Sequence, residues 1–171
     1  MVTGIVIFSD ESKVEIGLDN RVYIWRRADK EWLPACTSPP PRKWLGVMTW
    51  GCVTFNGVGT LDFVEVNMNA LKYIDILEDN LWPVVARHIP HNNSIFQDDK
   101  APIHRAREVM EYRVKCKITM LSWPAQSPEN VENVWQRLKW ELQNDATCIA
   151  TLDDLKVRIR HLWENLPFNY V

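Results

Sequence analysis

Apolar positions along this chain fall into two rhythms, one suited to strands and one to helices. Ile5-Val6-Ile7-Phe8 is a continuous apolar run closed by Ser9-Asp10, which predicts a buried central strand with Asp10 at its tip. Val14 to Leu18 and Arg21 to Arg26 flank Asp19-Asn20 and read as a hairpin with Asn20 at the turn. Val47 to Phe55 and Thr60 to Val66 are apolar or β-branched and are separated by Asn56-Gly57-Val58-Gly59, which predicts a second antiparallel pair. Ser94-Ile95-Phe96-Gln97-Asp98-Asp99 repeats the pattern of the first strand, with apolar residues running into carboxylates, and Ile118 to Leu121 reads as a further short strand.

The helical rhythm begins after Asn69, a good N-cap, with apolar residues at 70, 71, 74, 77 and 81, and Pro83 is expected to end or kink that helix. Pro102 to Lys115 reads as a helix. Ser127 as N-cap and Pro128 at the first helical position open another, whose apolar positions 131, 134, 135, 138 and 142 form the clearest amphipathic stripe in the chain. Leu152 to Trp163 is the last. The order predicts an α/β protein: a mixed five-stranded sheet, three antiparallel strands then two parallel, flanked by helices. Ligands of such sheets sit beyond the carboxyl ends of the strands, where Asp10 and Asp99 are expected.

Arg27 to Leu45 breaks both rhythms. It carries Pro34, Pro39, Pro40 and Pro41 among mixed charges, so it is read as a long inserted loop at about 27–45. With 171 residues the chain is expected to form one domain spanning 1–171. A 46% hydrophobic, 25% charged composition excludes a largely disordered chain. Most of the nine Trp lie in apolar runs and are expected in the core, with Trp32 and Trp44 as exceptions in the Pro-rich stretch. The cysteines at 36, 52, 116 and 148 have no C-x-x-C spacing, so reduced thiols are expected and structural zinc is not. No run approaches the roughly 20 apolar residues of a membrane span, so no membrane partner is expected and the protein reads as soluble and intracellular. A net charge of −2 gives no global attraction to nucleic acid, so DNA binding would rest on local clusters.

Two-metal phosphoryl chemistry needs anionic oxygens from separate elements converging on ions about 3.5–4 Å apart. Asp10 and Asp99 at strand ends can supply two of them. Glu132, about 100° from Val131 on the helical wheel, lies at the edge of the buried stripe and early in its helix, where the macrodipole favours a carboxylate. Carboxylates in such places are also commonly solvated or capping residues, and spacing alone leaves both readings open.

Longer strings carry more. Val6-Ile7-Phe8-Ser9-Asp10-Glu11-Ser12-Lys13 is similar to the opening strand of the mariner/Tc transposases, W/F-S-D-E-S/T-K. Val22-Tyr23-Ile24-Trp25-Arg26, Val47-Met48-Thr49-Trp50-Gly51-Cys52 and Gly57-Val58-Gly59 follow in the family's order. Phe96-Gln97-Asp98-Asp99-Lys100-Ala101-Pro102-Ile103-His104 resembles F-Q-Q-D-N-A-P-x-H. Trp123-Pro124-Ala125-Gln126-Ser127-Pro128 resembles W-P-A/S-Q-S-P, and Val131-Glu132-Asn133-Val134-Trp135 with Leu138-Lys139 resembles I-E-N-L-W followed by L-K. The resemblance is collinear over nearly the whole chain.

It implies an RNase H-like fold and a Mg²⁺-dependent (or Mn²⁺-dependent) DNA transposase core. Such a core nicks phosphodiesters at transposon ends and joins the freed 3′-OH to target DNA at a TA dinucleotide. Asp10, Asp99 and Glu132 would be the catalytic ligands of two ions. Double-stranded DNA would be the partner, the nucleus the location, and the loop at 27–45 a contact for a homodimer. Candidate DNA contacts are Lys13, Lys100, His104, Arg105 and Lys139, with solvated or packing roles as the plainer reading. For His104 the plainer reading, a capping or packing residue, is favoured over catalysis. The family's helix-turn-helix domains would precede the core, and there is no room for them before Asp10, so a fragment or a decayed copy is expected.

The departures cluster near the site. The segment Ser127-Pro128-Glu129-Asn130-Val131-Glu132-Asn133 is two residues shorter than S-P-D-L-N-P-I-E-N, up to about 7 Å of extended chain. Either the helix starts earlier and absorbs the loss, or Glu129 substitutes for Glu132. Lys100 stands where the family has Asn. Pointing outward it would pair with Asp98 or bind phosphate, and Lys100→Asn would leave cleavage unchanged or raise it. Arg105, Arg107, Arg113, Lys115 and Lys117 form a basic cluster read mostly as a solvated face. Two further readings stand beside the enzyme: a catalytically impaired or domesticated domain that binds nucleic acid or protein, and a generic RNase H-like nuclease.

Overall fold

The apolar run at the start of the chain becomes the centre of a sheet. In the computed structural model, which describes residues 4–16, 45–64, 67–89, 93–99, 101–121, 130–144, 149 and 151–167, five strands pair in the order β3-β2-β1-β4-β5. They are β1 (Ile5–Ile16), β2 (Leu45–Thr54), β3 (Gly57–Val64), β4 (Ser94–Gln97) and β5 (Thr119–Met120). The first three pair antiparallel, and β1 with β4 and β4 with β5 pair parallel, as the sequence predicts.

β1 does not stop at Asp10. It runs on to Ile16 because β2 supplies a ladder along that whole length, from Ile7 opposite Thr54 to Ile16 opposite Leu45. Among the described residues, β2 pairs with the segment Val14 to Ile16. The stretch 21–26, expected to pair with it, lies outside the described residues, as does the loop up to residue 44. The turn between β2 and β3 is Phe55-Asn56, closed by Thr54 opposite Gly57. Gly57 sits at φ 128, a backbone region that side chains disfavour, which is the reason for glycine there.

Four helices cover the two faces. α1 (Ala70–His88) and α2 (Arg107–Lys115) pack on one, burying Tyr73, Leu77, Leu81, Val84 and Val109 against Ile7, Trp50, Cys52 and Phe96. α3 (Asn130–Asn144) and α4 (Leu152–Glu164) pack on the other, burying Val131, Val134, Trp135, Leu138, Leu155, Ile159 and Trp163 against Val14, Val47 and Val53. Asn69 caps α1 by accepting from the Lys72 N–H. Thr151 and Asp154 form a reciprocal capping box on α4. Pro83 ends nothing: α1 continues through it to His88, because burial of Val84 and Val85 outweighs one missing backbone N–H.

The stripe expected on α3 is buried at all five positions. That of α1 is shifted, since Leu71 is 64% exposed and Tyr73, Ile76 and Asn80 face inward instead. Among the tryptophans, Trp50, Trp135 and Trp163 are core residues, while Trp140 is 51% exposed beneath the Arg137 guanidinium; Trp32 and Trp44 lie outside the described residues. Cys52 and Cys116 are free thiols. Among the described residues no helix is long and apolar enough to cross a membrane.

Candidate active site

The last rung of the parallel ladder between β1 and β4 joins Phe8 to Gln97, so Asp10 and Asp99 each follow it by two residues. Side chains alternate along a strand. Asp10 therefore shares the face of Phe8, Val14 and Ile16, which pack against the α3 and α4 core, and it is half-buried there. α3 lies directly on β1, held by its fully buried Val131 and Val134. Glu132 projects from the first turn of α3 into solvent, with no hydrogen bond or ion pair to any described residue. The fold thus places Asp10 and Glu132 on one face of the sheet, with Asp99 at the adjoining strand end.

Glu11, the next residue of β1, belongs to the opposite face, and there the structure holds a polar cluster that periodicity did not reveal. Asp99 Oδ1 accepts from the Ala101 N–H at 2.8 Å and lies 2.8 Å from His104 Nδ1. The other ring nitrogen, Nε2, is 3.5 Å from Glu11 Oε1, and Asp98 Oδ2 is 3.8 Å from Nδ1. These imidazole–carboxylate contacts are ionic and not aligned hydrogen bonds. The ring stacks on Tyr73 with centroids 4.1 Å apart. Tyr73 in turn donates its hydroxyl to Asp98 Oδ2 at 3.1 Å, and Arg113 forms a buried ion pair with that same oxygen.

Charge states follow from this packing. Burial works against a charged His104, but the contacts with Asp99 and Glu11 outweigh it and hold the imidazolium up to about 9. The same His104 contact, with the Ala101 N–H, keeps the Asp99 carboxyl below its ordinary range despite partial desolvation. Burial, reinforced by the Asp98 charge, keeps Tyr73 protonated far above the usual phenol range.

Among the described residues, the three acidic or histidine side chains whose candidate ligand atoms all lie within 4.8 Å of one another are Glu11, Asp99 and His104. These atoms are close enough to hold a cation, and with the ring protonated they form an ionic bridge that turns a different nitrogen to each carboxylate. Asp10, Asp99 and Glu132 do not close to that distance, nor do ligands on opposite sides of a metal pair need to. Asp99 is 43% exposed with both its contacts on Oδ1.

His104 is packed, as the favoured reading had it, and does not cap a helix: it is 3% exposed at the centre of the cluster, in a short 3-10 turn (Ile103–Arg105). One sequence-based reading needs correction. Arg113 is not part of a solvated basic face but buried on Asp98, whose direction is thereby fixed toward α1 and α2. Lys13 is exposed and paired with Glu15, Arg105 is exposed, and Lys139 is half-buried on α3. Lys100 and Glu129 lie outside the described residues. Sequence reasoning missed Glu11, Asp98, Tyr73 and Arg113. Strand alternation was the available signal for one of them: Asp10 and Glu11 are adjacent in β1, so they face opposite sides of the sheet.

Residues 5–156 match the model of the DDE superfamily endonuclease family. The transposase of the Caenorhabditis elegans element Tc3 is 34% identical over 170 residues, covering 96% of this chain and 50% of that protein. The transposase of the Caenorhabditis briggsae element Tcb1 is 28% identical, covering 96% of this chain and 61% of that protein. The chain therefore spans half to about three-fifths of the length of these curated relatives. Its fold superimposes on the Mos1 transposase paired-end complex with left transposon end at TM-score 0.74 and 19% identity, over 96% of this chain and 49% of that one. The catalytic domain of Mos1 mariner transposase matches at TM-score 0.67 and 16% identity, over 96% and 72%. The fold is RNase H-like.

Proposed function

The chain belongs to the DDE superfamily of endonucleases, among the transposase catalytic domains of the Tc1/mariner kind, and from that premise we propose that it cuts phosphodiesters at transposon ends and joins the freed 3′-OH to target DNA with two bound Mg²⁺ or Mn²⁺ ions. The observation that supports the proposal is that the β1–β4 ladder ends two residues before both Asp10 and Asp99, with Glu132 on the helix packed against β1.

The residues fit the ions. All three donors are hard carboxylate oxygens, the type Mg²⁺ selects. Asp99 is held ionised and its Oδ2 is uncommitted among the described residues, and nothing there holds the Glu132 carboxylate, so it can turn toward the strand ends. Bound ions would activate the attacking oxygen and stabilise the leaving one. The chain's own part is to fix the donors: the sheet sets Asp10, the Ala101 N–H orients Asp99, and the buried stripe of α3 seats Glu132. Double-stranded DNA is the proposed substrate and partner, in keeping with the Mos1 complexes that contain transposon ends or Mn. Nuclear action and dimer contacts through 27–45 belong to the same proposal.

Isothermal titration with Mg²⁺ and Mn²⁺, paired with Mn²⁺-dependent nicking of supercoiled plasmid, tests it. Binding and nicking are expected in the 171-residue chain and lost in Asp10→Asn and Asp99→Asn. Cation binding that ignores both substitutions, or none at all, would leave a transposase-derived binding module.

A further inference from the structure

Second ligands in metal sites are commonly steered by groups behind them, and the cluster around His104 has the anatomy of such a support. Asp99 follows the end of β4 and is not held by the sheet ladder. What fixes its carboxylate is one backbone N–H and one ring nitrogen, both on Oδ1. The ring cannot drift, because Tyr73 covers its face and Glu11 stands at its far nitrogen. Behind these, Asp98 ties Tyr73 of α1 to Arg113 of α2 through one buried oxygen.

We infer that His104 is a positioning residue for Asp99, turning its free oxygen toward the α3 face, and that Glu11 holds His104 in place from the neighbouring strand. β1 thereby serves both carboxylates of the site. Asp10 enters it directly on one face, and Glu11, one residue on, reaches Asp99 through the imidazole on the other. The inference rests on the proposed role of Asp99 as a cation ligand.

The test is Mn²⁺ affinity of the 171-residue chain, read from the electron paramagnetic resonance signal of the free ion, with melting temperatures taken in EDTA. An asparagine amide nitrogen falls where the histidine Nδ1 lies, whereas a glutamine amide reaches the place of Nε2. Loss of a supporting partner typically weakens metal binding by about 10–100-fold, and His104→Ala is expected to fall in that range. His104→Asn is expected to recover most of the affinity, His104→Gln little of it, and Glu11→Gln to weaken binding in the same direction. If Ala, Asn and Gln at 104 change stability but leave Mn²⁺ affinity at the wild-type value, or weaken it equally, His104 only packs and the inference is overturned. Should His104→Ala fail to fold, the Asn and Gln variants decide alone, equal affinities overturning it. If wild-type Mn²⁺ binding is insensitive to Asp99→Asn, the metal reading itself fails and takes the inference with it.

Discussion

Asp10 and Asp99 each come two residues after the last rung of the parallel ladder, which joins Phe8 to Gln97. Neighbouring strands lie about 4.8 Å apart, so the two residues leave the sheet at the same end. In the proposed site a cation pair shared between them would contribute several kcal/mol to a phosphoryl-transfer transition state, and each 1.4 kcal/mol is about tenfold in rate. Asp10→Asn and Asp99→Asn are each expected to lower Mn²⁺-dependent nicking by about a hundredfold or more. Asp99→Asn also removes the charge facing His104 and is expected to lower the melting temperature in EDTA, by no more than about 1 kcal/mol of stability because Asp99 is partly exposed. An Asp99→Asn protein that melts at the wild-type temperature in EDTA would contradict this role of its charge.

Periodicity showed the sheet and α3 because burial there follows simple repeats: 131, 134, 135, 138 and 142 are inward positions of a single helix. It misplaced the end of β1. Glu11, Ser12 and Lys13 look like a strand terminus, but the polarity there marks a place where one face meets a polar cluster, while the β2 ladder continues beneath it. The cluster itself was illegible for a different reason. Tyr73 and Arg113 come from helices far apart in sequence and meet only because both pack on the same face, and a lone buried arginine in a helix rich in charge carries no local mark. His104 read as a capping or packing residue, and the packing was right, but nothing local tells a simply packed imidazole from one clamped between carboxylates.

The Asp98–Arg113 pair should behave as a buried ion pair. Removing one partner leaves an uncompensated charge in the core and costs about 3–5 kcal/mol. Asp98→Asn and Arg113→Met are each expected to lose stability on that order in urea unfolding, since both side chains are almost fully buried. The double variant is expected to be markedly less destabilised than the sum of the two. Strict additivity would show that the pair is not coupled.

In the proposed site Glu132 and Glu129 are the two candidates for third ligand, and substitution separates them. Glu132 lies in the first turn of α3 beside the fully buried Val131, which anchors its backbone over β1. Glu132→Gln is expected to abolish Mn²⁺-dependent nicking with little change in melting temperature, because the side chain is exposed. Glu129→Gln should stay near wild type. The reverse pattern would mean that the shortened segment before α3 has moved the ligand back by one turn.

Cys52 offers a pH-dependent readout remote from the site. It is fully buried, and burial pushes its thiol from an ordinary 9.0 up to about 11, against a lesser opposing contact with Thr60. Because the folded value lies above the unfolded one, its contribution to stability is complete below about pH 9 and is lost as pH rises toward 11. The melting-temperature advantage of the wild type over Cys52→Ala is therefore expected to be constant up to pH 9 and to shrink above it. An advantage that does not change between pH 9 and 11 would refute the assignment.

Gly51 links the core to the site. It pairs with Asp10 across β1 and β2, and a Cβ there would lie 2.8 Å from the ring atoms Cη2 of both Trp135 and Trp163. Those rings are tilted against each other with centroids 5.0 Å apart, and Trp163 is further held by its Nε1–H donating to the Gly59 carbonyl at 3.0 Å, so α4 has little room to give. The strain of Gly51→Ala must then fall on Trp135, three residues after Glu132 on the same helix. Overpacking of this kind costs about 1–3 kcal/mol. The variant is expected to lose stability in that range and, by shifting α3 off β1, to lose nicking activity beyond what its folded fraction explains. Full specific activity per folded molecule would show that the seat of Glu132 does not depend on the contact between Gly51 and Trp135.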